Sequence, residues 1–530
     1  MANVPVVSNP GVEPASGIRG FWQRRKILLL LGGAGLVVLL GAGVFLANAH
    51  WPYRYRVVKP LLEDVLGSQI AITHYHRTYF PHPGFVAEGL TLRRKSAMDL
   101  PPIGSVDQLA VQGTWADLLM LRPVVRLVDM QSLHLVIPAP GSRANREDFP
   151  PGSASDFAGP DTLIEELKIH NGLLDIMRAN GLRFSFPIKE LDVRDFQKGR
   201  ANRYVVDMQN AIPHGHIQSS GSFGPLNAKS LGATPVTGTF SFTSVMLQDI
   251  GNIRGTLASS GRFGGTLAEI EATADSDTQD FAVGSGEPAP VHGSVRCVIN
   301  GQTGEVVMHR VEVKSGATTI AANGGVVGNP KITNLDLAIA NGRAEDVLRP
   351  FVHGEPPIAG SLWLKGHAFV GPTEKGVGFL QRLRVDGVFD VPSERVTNEA
   401  TEKTLSDFSR RAQKNKDDSP LGEKADVLSA VKGPAQIRNG IASSPHLTFE
   451  VAGARATLQG TFNFHDETVH LTGNLAMQSG ASHAVTGFKS VLLKPLDPFL
   501  KKRHAGAVIP IAVIGGPGHY KVTQDFSHAK

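Results

Sequence analysis

Apolar and polar residues alternate along most of this chain, as in Leu133-His134-Leu135-Val136-Ile137, Leu335-Asp336-Leu337-Ala338-Ile339, Leu447-Thr448-Phe449-Glu450-Val451 and Val469-His470-Leu471-Thr472. Successive strand side chains point to opposite faces, so each stretch predicts a β-strand with one apolar face. Asn-Gly pairs begin at Asn171, Asn180, Asn300, Asn323, Asn341 and Asn439. Both residues tolerate the positive φ of tight hairpins, which predicts antiparallel neighbours. Gly-x-aromatic phrases recur at Gly221-Ser222-Phe223, Gly238-Thr239-Phe240, Gly261-Arg262-Phe263, Gly387-Val388-Phe389 and Gly460-Thr461-Phe462. Their first and third residues share a face, so the Phe either lies over space left by a neighbouring Gly or marks a strand bend. Ile169-His170-Asn171-Gly172-Leu173 and Ile437-Arg438-Asn439-Gly440-Ile441 read as the starts of related β units.

Four segments break the alternation. Residues 27–47, with Ile27, Leu31, Leu36, Leu40 and Phe45 among them, carry no charge. Their length is about the 20 residues that a helix needs to cross a bilayer. Arg19, Arg24, Arg25 and Lys26 flank the run on its N-terminal side, which predicts a single-pass anchor with a cytoplasmic N-terminus and everything after His50 outside. Trp51, Tyr53 and Tyr55 then suit the far interface. A cleavable signal ending at Ala47-Asn48-Ala49 is the competing reading, against which the run exceeds the usual 7–15 apolar residues. Val57–Leu66 reads as a short helix interrupted by Pro60 and closed by Gly67. Residues 138–161, rich in Pro, Gly, Ser and charge, read as a loop or linker. Residues 394–434 place Leu405, Phe408 and Ala412, then Ala425, Leu428 and Val431, at helical spacing, which predicts an inserted helical hairpin.

The expected fold is therefore mainly β: a transmembrane helix, a short helix near the membrane, then an elongated, curved antiparallel sheet with a helical insertion. The divisions are a cytoplasmic tail (1–26), the anchor (27–47), a membrane-proximal α/β start (48–137), the loop (138–161), a central β-groove (162–393), the insertion (394–434) and a C-terminal β region (435–530).

Composition agrees with a folded, turn-rich chain, since charged residues make up only 19% and Gly with Pro about a sixth. A net charge of +5 spread over 530 residues, with no basic stripe interleaved with aromatics, argues against nucleic-acid binding. The single Cys297 excludes an intramolecular disulfide framework and reads as a small apolar strand residue. His74 with His76, and His214 with His216, each place two imidazoles on one strand face, but no third ligand stands at a recognisable spacing, so no metal is expected. No nucleophile elbow, phosphate loop or His-Glu-x-x-His occurs, so neither an enzyme nor a cofactor is expected. The run Lys501-Lys502-Arg503-His504 reads as a solvated turn, with lipid head-group contact as the alternative. A one-faced sheet must bury its apolar side in a closed sandwich or against something it carries. If it is open, Phe223, Phe240, Phe263, Phe389, Phe449 and Phe462 are candidates to line a groove for acyl chains.

The tail is more specific. Gly487-Phe488-Lys489-Ser490-Val491-Leu492-Leu493-Lys494-Pro495-Leu496-Asp497-Pro498-Phe499, followed by Ala505 to Gly515 with Pro510 inside it, closely resembles the C-terminal region of the bacterial AsmA-like family. Leu405–Gln413, Val451–Gly460 and Lys59–Gly67 are similar to that family's pattern as well. The resemblance implies an inner-membrane anchor, an elongated periplasmic β-groove of the bridge-like lipid-transfer type, and a part in moving phospholipid toward the outer membrane, with no catalytic residue. Two dozen strands at about 4.8 Å each would give a groove of roughly 100 Å. The expected partners are membrane phospholipid and an outer-membrane or periplasmic protein. The alternative function is a non-enzymatic scaffold assisting outer-membrane protein assembly.

Overall fold

The computed structural model describes residues 51–95, 97–139, 141–148, 162–178, 181–227, 230–374, 376–396, 429–451, 454–477, 508–517 and 519–524. The anchor run 27–47, Leu405 to Leu428 of the helical insertion, and Gly487 to Phe499 lie outside them. No helix among the described residues is long and apolar enough to cross a membrane. Contacts divide the chain into two units, residues 1–67 and 68–530.

In the first unit, helix α1 (Tyr55–Val65) runs straight through Pro60. The ring removes one intrahelical N–H, and the rest of the ladder carries on to the bond from Leu66 N–H to Leu62 O at 2.9 Å. Gly67, at φ +61°, closes it in the left-handed conformation.

The second unit is mainly β, with one large curved mixed sheet of 26 strands. The strands are β1 (Gln69–Ala71), β2 (His74–Thr78), β3 (Gly84–Arg93), β4 (Gly104–Gln112), β5 (Val124–Gln131), β6 (His134–Ile137), β7 (Leu163–Met177), β8 (Arg183–Phe196), β9 (Asn202–Asn210), β10 (Gly215–Phe223), β11 (Pro235–Met246), β12 (Ile253–Arg254) and β13 (Thr256–Thr266). There follow β14 (Glu269–Val283), β15 (Ala289–Ile299), β16 (Val306–Ser315), β17 (Thr318–Val327), β18 (Ile332–Arg343), β19 (Ile358–Val370), β20 (Leu383–Val396), β21 (Ser429–Arg438), β22 (Ile441–Val451), β23 (Ala454–Asn463), β24 (Thr468–Met477), β25 (Val508–Gly515) and β26 (Lys521–Gln524). Helices α2 (Trp115–Leu119), α3 (Arg143–Asp148), α4 (Ala344–Leu348) and α5 (Phe379–Arg382) sit in the connections.

Neighbouring strands pair antiparallel except around β7, which lies parallel to both β5 and β6. The 138–161 segment is thus a crossover within one continuous sheet, since a parallel pair cannot be joined by a tight turn. Three of the Asn-Gly pairs do not make hairpins. Asn171-Gly172, Asn323-Gly324 and Asn341-Gly342 lie inside β7, β17 and β18, and a register shift falls between Ile339 and Gly342. The same tolerance of positive φ that suits a hairpin also suits a kink inside a strand; Asn171 has φ +52°. Ile169–Leu173 is therefore mid-strand, whereas Asn439-Gly440 turns β21 into β22 at φ +53° and +75°. The ends of the expected 394–434 insertion are strand: Glu394 lies in β20, and Val431 pairs with Val391 and Phe449.

Inner-face residues follow one another from strand to strand. The register aligns Ile217, Phe242 and Ser259, then Phe263, Ala272 and Cys297. Burial pushes the Cys297 thiol pKa up. The Gly-x-Phe phrases of β11 and β13 interlock, with Gly238 opposite Phe263 and Phe240 opposite Gly261. A Cβ at Gly238 would stand 2.9 Å from Phe263 Cζ, and one at Gly261 would stand 2.9 Å from Phe240 Cε1. Each ring therefore covers the neighbouring glycine. The opposite face carries polar cross-strand pairs, among them Asp277 with His292, Asp336 with His367 at 3.1 Å, and Asp386 with Arg438 at 2.7 Å. Being exposed, such pairs contribute about 0–1 kcal/mol each and mainly keep that face wet.

The ribbon also coils on itself. Phe379 and Leu380 of α5 pack on a cluster of Leu247, Ile253 and Val283 at the opposite strand ends of β11–β14. Arg382, buried in that seam, donates to the carbonyl of Ile250 and to Gly371 O at 3.0 Å.

An added methyl at Gly261 would meet Thr273 O at 2.2 Å as well as the Phe240 ring. Gly261→Ala should therefore destabilise the sheet by about 1–3 kcal/mol. Denaturant unfolding followed by circular dichroism checks this, and an unchanged midpoint would count against the interlocked packing.

Candidate functional site: an open cavity on the apolar face

Between β19 and β26 the sheet curves around a cavity of about 460 Å³ that stays partly open. Its wall is built in rungs set by register. Val391, Val431, Phe449, Ala456 and Leu475 follow one another across β20–β24, and Leu447, Leu458, Gly473 and Ile511 form the next rung. Ala456 stands between Phe449 and Leu475, and a small residue facing large ones leaves space that a close-packed core would fill. Gly473, between Leu458 and Ile511, marks a close backbone approach, since a Cβ there would stand 2.0 Å from Thr457 O.

The side chains that bring hydroxyls to the wall are those of Ser443, Ser444, Thr461 and Tyr520. Ser444 Oγ donates to Pro434 O at 2.7 Å, and the Tyr520 hydroxyl donates to Glu467 O at 3.3 Å. Burial, together with the Glu467 charge, raises the Tyr520 pKa. A lining this poor in polar groups favours apolar matter over ordered water.

One side is formed by the segment between β18 and β19, which supplies Val347, Leu348, Val352 and Pro357. This strap is fixed at two places. His353 N–H donates to Glu467 Oε1 at 2.6 Å, and Gly354 N–H donates to Glu287 Oε1 at 3.1 Å. Phe351 meets Phe464 edge-on at 6.2 Å, and Phe464 meets Phe462 at 5.1 Å. The strap thereby ties the turn after β14 to the turn between β23 and β24.

Of the sequence candidates, Phe389, Phe449 and Phe462 line this cavity. Phe223, Phe240 and Phe263 lie on the same apolar face farther up the ribbon, half-buried and outside the cavity. Pro510 lies in β25 opposite Asn474, one residue before pairing with β26 begins. Trp51 is buried with Tyr53 edge-on at 6.0 Å, and Tyr55 is exposed at the start of α1. The strap residues escaped sequence reading because their neighbours lie far away along the chain. Ile511 was legible only inside the family-like tail Ala505–Gly515, and Leu475 lies beyond the alternating run Val469–Thr472.

Acid–base and metal-binding groups are dispersed. Among the described residues no three His, Cys, Asp or Glu side chains gather as ligands. His214 pairs with Asp249 at 2.7 Å, while His216 pairs with Asp207 at 2.6 Å. The densest buried polar group is Asp175 on β7, which accepts from Ser185 Oγ at 2.6 Å and pairs with His134 Nε2 at 2.9 Å and Arg183 at 3.4 Å. The carboxylate sits between serine and histidine, so His134 has no contact through which to activate Ser185 as a base would. The cluster acts as a structural tie across β6, β7 and β8.

The chain matches no protein-family model, and no curated protein matches it.

Burial alone would raise the Asp175 pKa, but the hydrogen bonds from Ser185 and His134 and the Arg183 charge outweigh it and hold the carboxyl below its usual range. A depressed folded pKa contributes stability that is present above the ordinary carboxylate pKa of about 4 and is lost as pH falls through the folded value. Asp175→Asn should therefore be less stable than wild type at pH 7 by about 1–3 kcal/mol. That gap should narrow below about pH 4, as measured by unfolding at a series of pH values.

Proposed function

We propose that the chain is an inner-membrane-anchored envelope protein that binds or conducts phospholipid along the apolar face of its sheet, acting as a groove on the periplasmic side. The observation that carries this reading is the apolar cavity of about 460 Å³ walled by Phe389, Phe449, Phe462 and their aliphatic neighbours. It opens on a face whose apolar residues continue from strand to strand. Two features of the sequence support it: the uncharged run 27–47, and the AsmA-like tail Gly487–Phe499 with Ala505–Gly515. The acyl chains, which gain by leaving water, lie along the inner face, and the polar head group stays outside because the wall is almost wholly apolar. The reading assigns no catalytic residue and no cofactor.

The test uses neighbouring residues that point to opposite faces. A photo-reactive benzoyl-phenylalanine at Phe449 or Phe462 should capture phospholipid in bacterial membranes, detected as a lipid mass on the corresponding peptide. The same probe at the exposed Thr457, one residue from the buried Ala456, should capture far less. Equal capture at all three positions, or none at any, would remove the lipid-groove reading.

A further inference from the structure

The end of the ribbon formed by the first strands carries apolar side chains that the lipid groove does not use. At the turn between β2 and β3, Phe80 is 88% exposed, and at the end of α2 Leu119, Met120 and Leu121 are 79%, 63% and 88% exposed. The two segments adjoin: Gly113 N–H donates to Pro83 O at 2.8 Å, and Gly84 of β3 pairs with Gln112 of β4. Tyr79 and Trp115, also exposed, belong to the same two segments. Such a set is costly in water and calls for an apolar surrounding.

Charge on that edge has one dominant sign. Arg122 follows the leucines directly. The turn between β8 and β9, which the β5–β7–β8 pairings place on the same strand ends, presents exposed Lys198 and Arg200. Of the acids nearby, Asp117 is engaged with Thr114 at 2.6 Å and Arg122 at 4.0 Å, and Asp195 with Arg203 at 2.6 Å, while Glu165 at the start of β7 is exposed. Backbone N–H groups at the end of α2 are engaged as well, Met120 with Ala116 O at 3.0 Å and Arg122 with Asp117 O at 2.9 Å, so this segment does not present a strand edge for β-augmentation.

We propose that Phe80 and Leu119–Leu121 insert shallowly into an anionic phospholipid bilayer, with Arg122, Lys198 and Arg200 against the head-group phosphates. Apolar tips flanked by cations, with Tyr and Trp beside them, match the layering of a membrane interface. The inference rests on the anchoring proposed above, which brings a bilayer within reach: the apolar run ends at Ala47 and the sheet begins at Gln69. It adds that the sheet itself, and not the anchor alone, holds the end of the groove on the lipid surface.

The test uses the full chain, with Cys297→Ala removing its one cysteine, in vesicles of phosphatidylcholine and phosphatidylglycerol. An environment-sensitive fluorophore is placed at Phe80→Cys, at Leu121→Cys, at Thr239→Cys on the polar face, and at Trp22→Cys beside the anchor run. Lipids spin-labelled near the head group should quench the labels at 80 and 121 severalfold more than the label at 239. A label at 80 and 121 that stays unquenched overturns the proposal, whatever the label at 22 reports; that label tests the anchoring separately. A blue-shifted but unquenched label at 121 also overturns it, because a second copy of the chain would then cover the patch.

Discussion

A sheet apolar on one side only, with no second layer against it among the described residues, satisfies much of that side by its own curvature. Most of what the second unit does follows from this constraint. Burying apolar area contributes about 25 cal/mol per Å², and the ribbon gains it by curling until Val431, Phe449, Ala456 and Leu475 face a common space. The polar side, with pairs such as Asp386 and Arg438, can then stay in water at little cost. Coiling brings opposite edges together, and the two seams where they meet hold different chemistry. One is the apolar contact of Phe379 and Leu380 with Ile253 and Val283, pinned by the buried Arg382. The other is the strap, fixed by the Glu467 and Glu287 carboxylates. Curvature that stops short of full closure leaves the cavity between them.

The local part of this design was legible in the sequence, because alternation and glycine placement act over a few residues. The strands were readable from runs such as Leu447–Val451. The Gly-x-Phe phrases gave the correct face, and the open choice between ring-over-glycine packing and a bend resolves at Phe240 and Gly261 to the former. Asn-Gly pairs were ambiguous for a physical reason: positive φ serves a hairpin at Asn439 and an internal kink at Asn171 equally well.

Long-range features were not legible. Nothing in the order of residues announces that β7 runs parallel to β5 and β6, that Arg382 bonds a carbonyl 132 residues away, or that His353 meets a carboxylate 114 residues away. Of six candidate phenylalanines, the three that line the cavity sit on β20, β22 and β23, where Val347, Leu348, Val352 and Pro357 of the strap complete the wall, and that meeting is a property of the whole sheet. Pro60 misled in the other direction, since one missing N–H does not end a helix whose remaining bonds are intact.

The central claim is that the curled apolar face holds lipid and is not merely a loosely packed core. The most direct measurement is native mass spectrometry of the chain from Trp51 onward, purified without detergent, beside the same chain carrying Ala456→Trp to fill the cavity. The account predicts phospholipid masses on the first protein and a clear loss of them on the second. A bare protein mass for both, or the same lipid load on both, would contradict it.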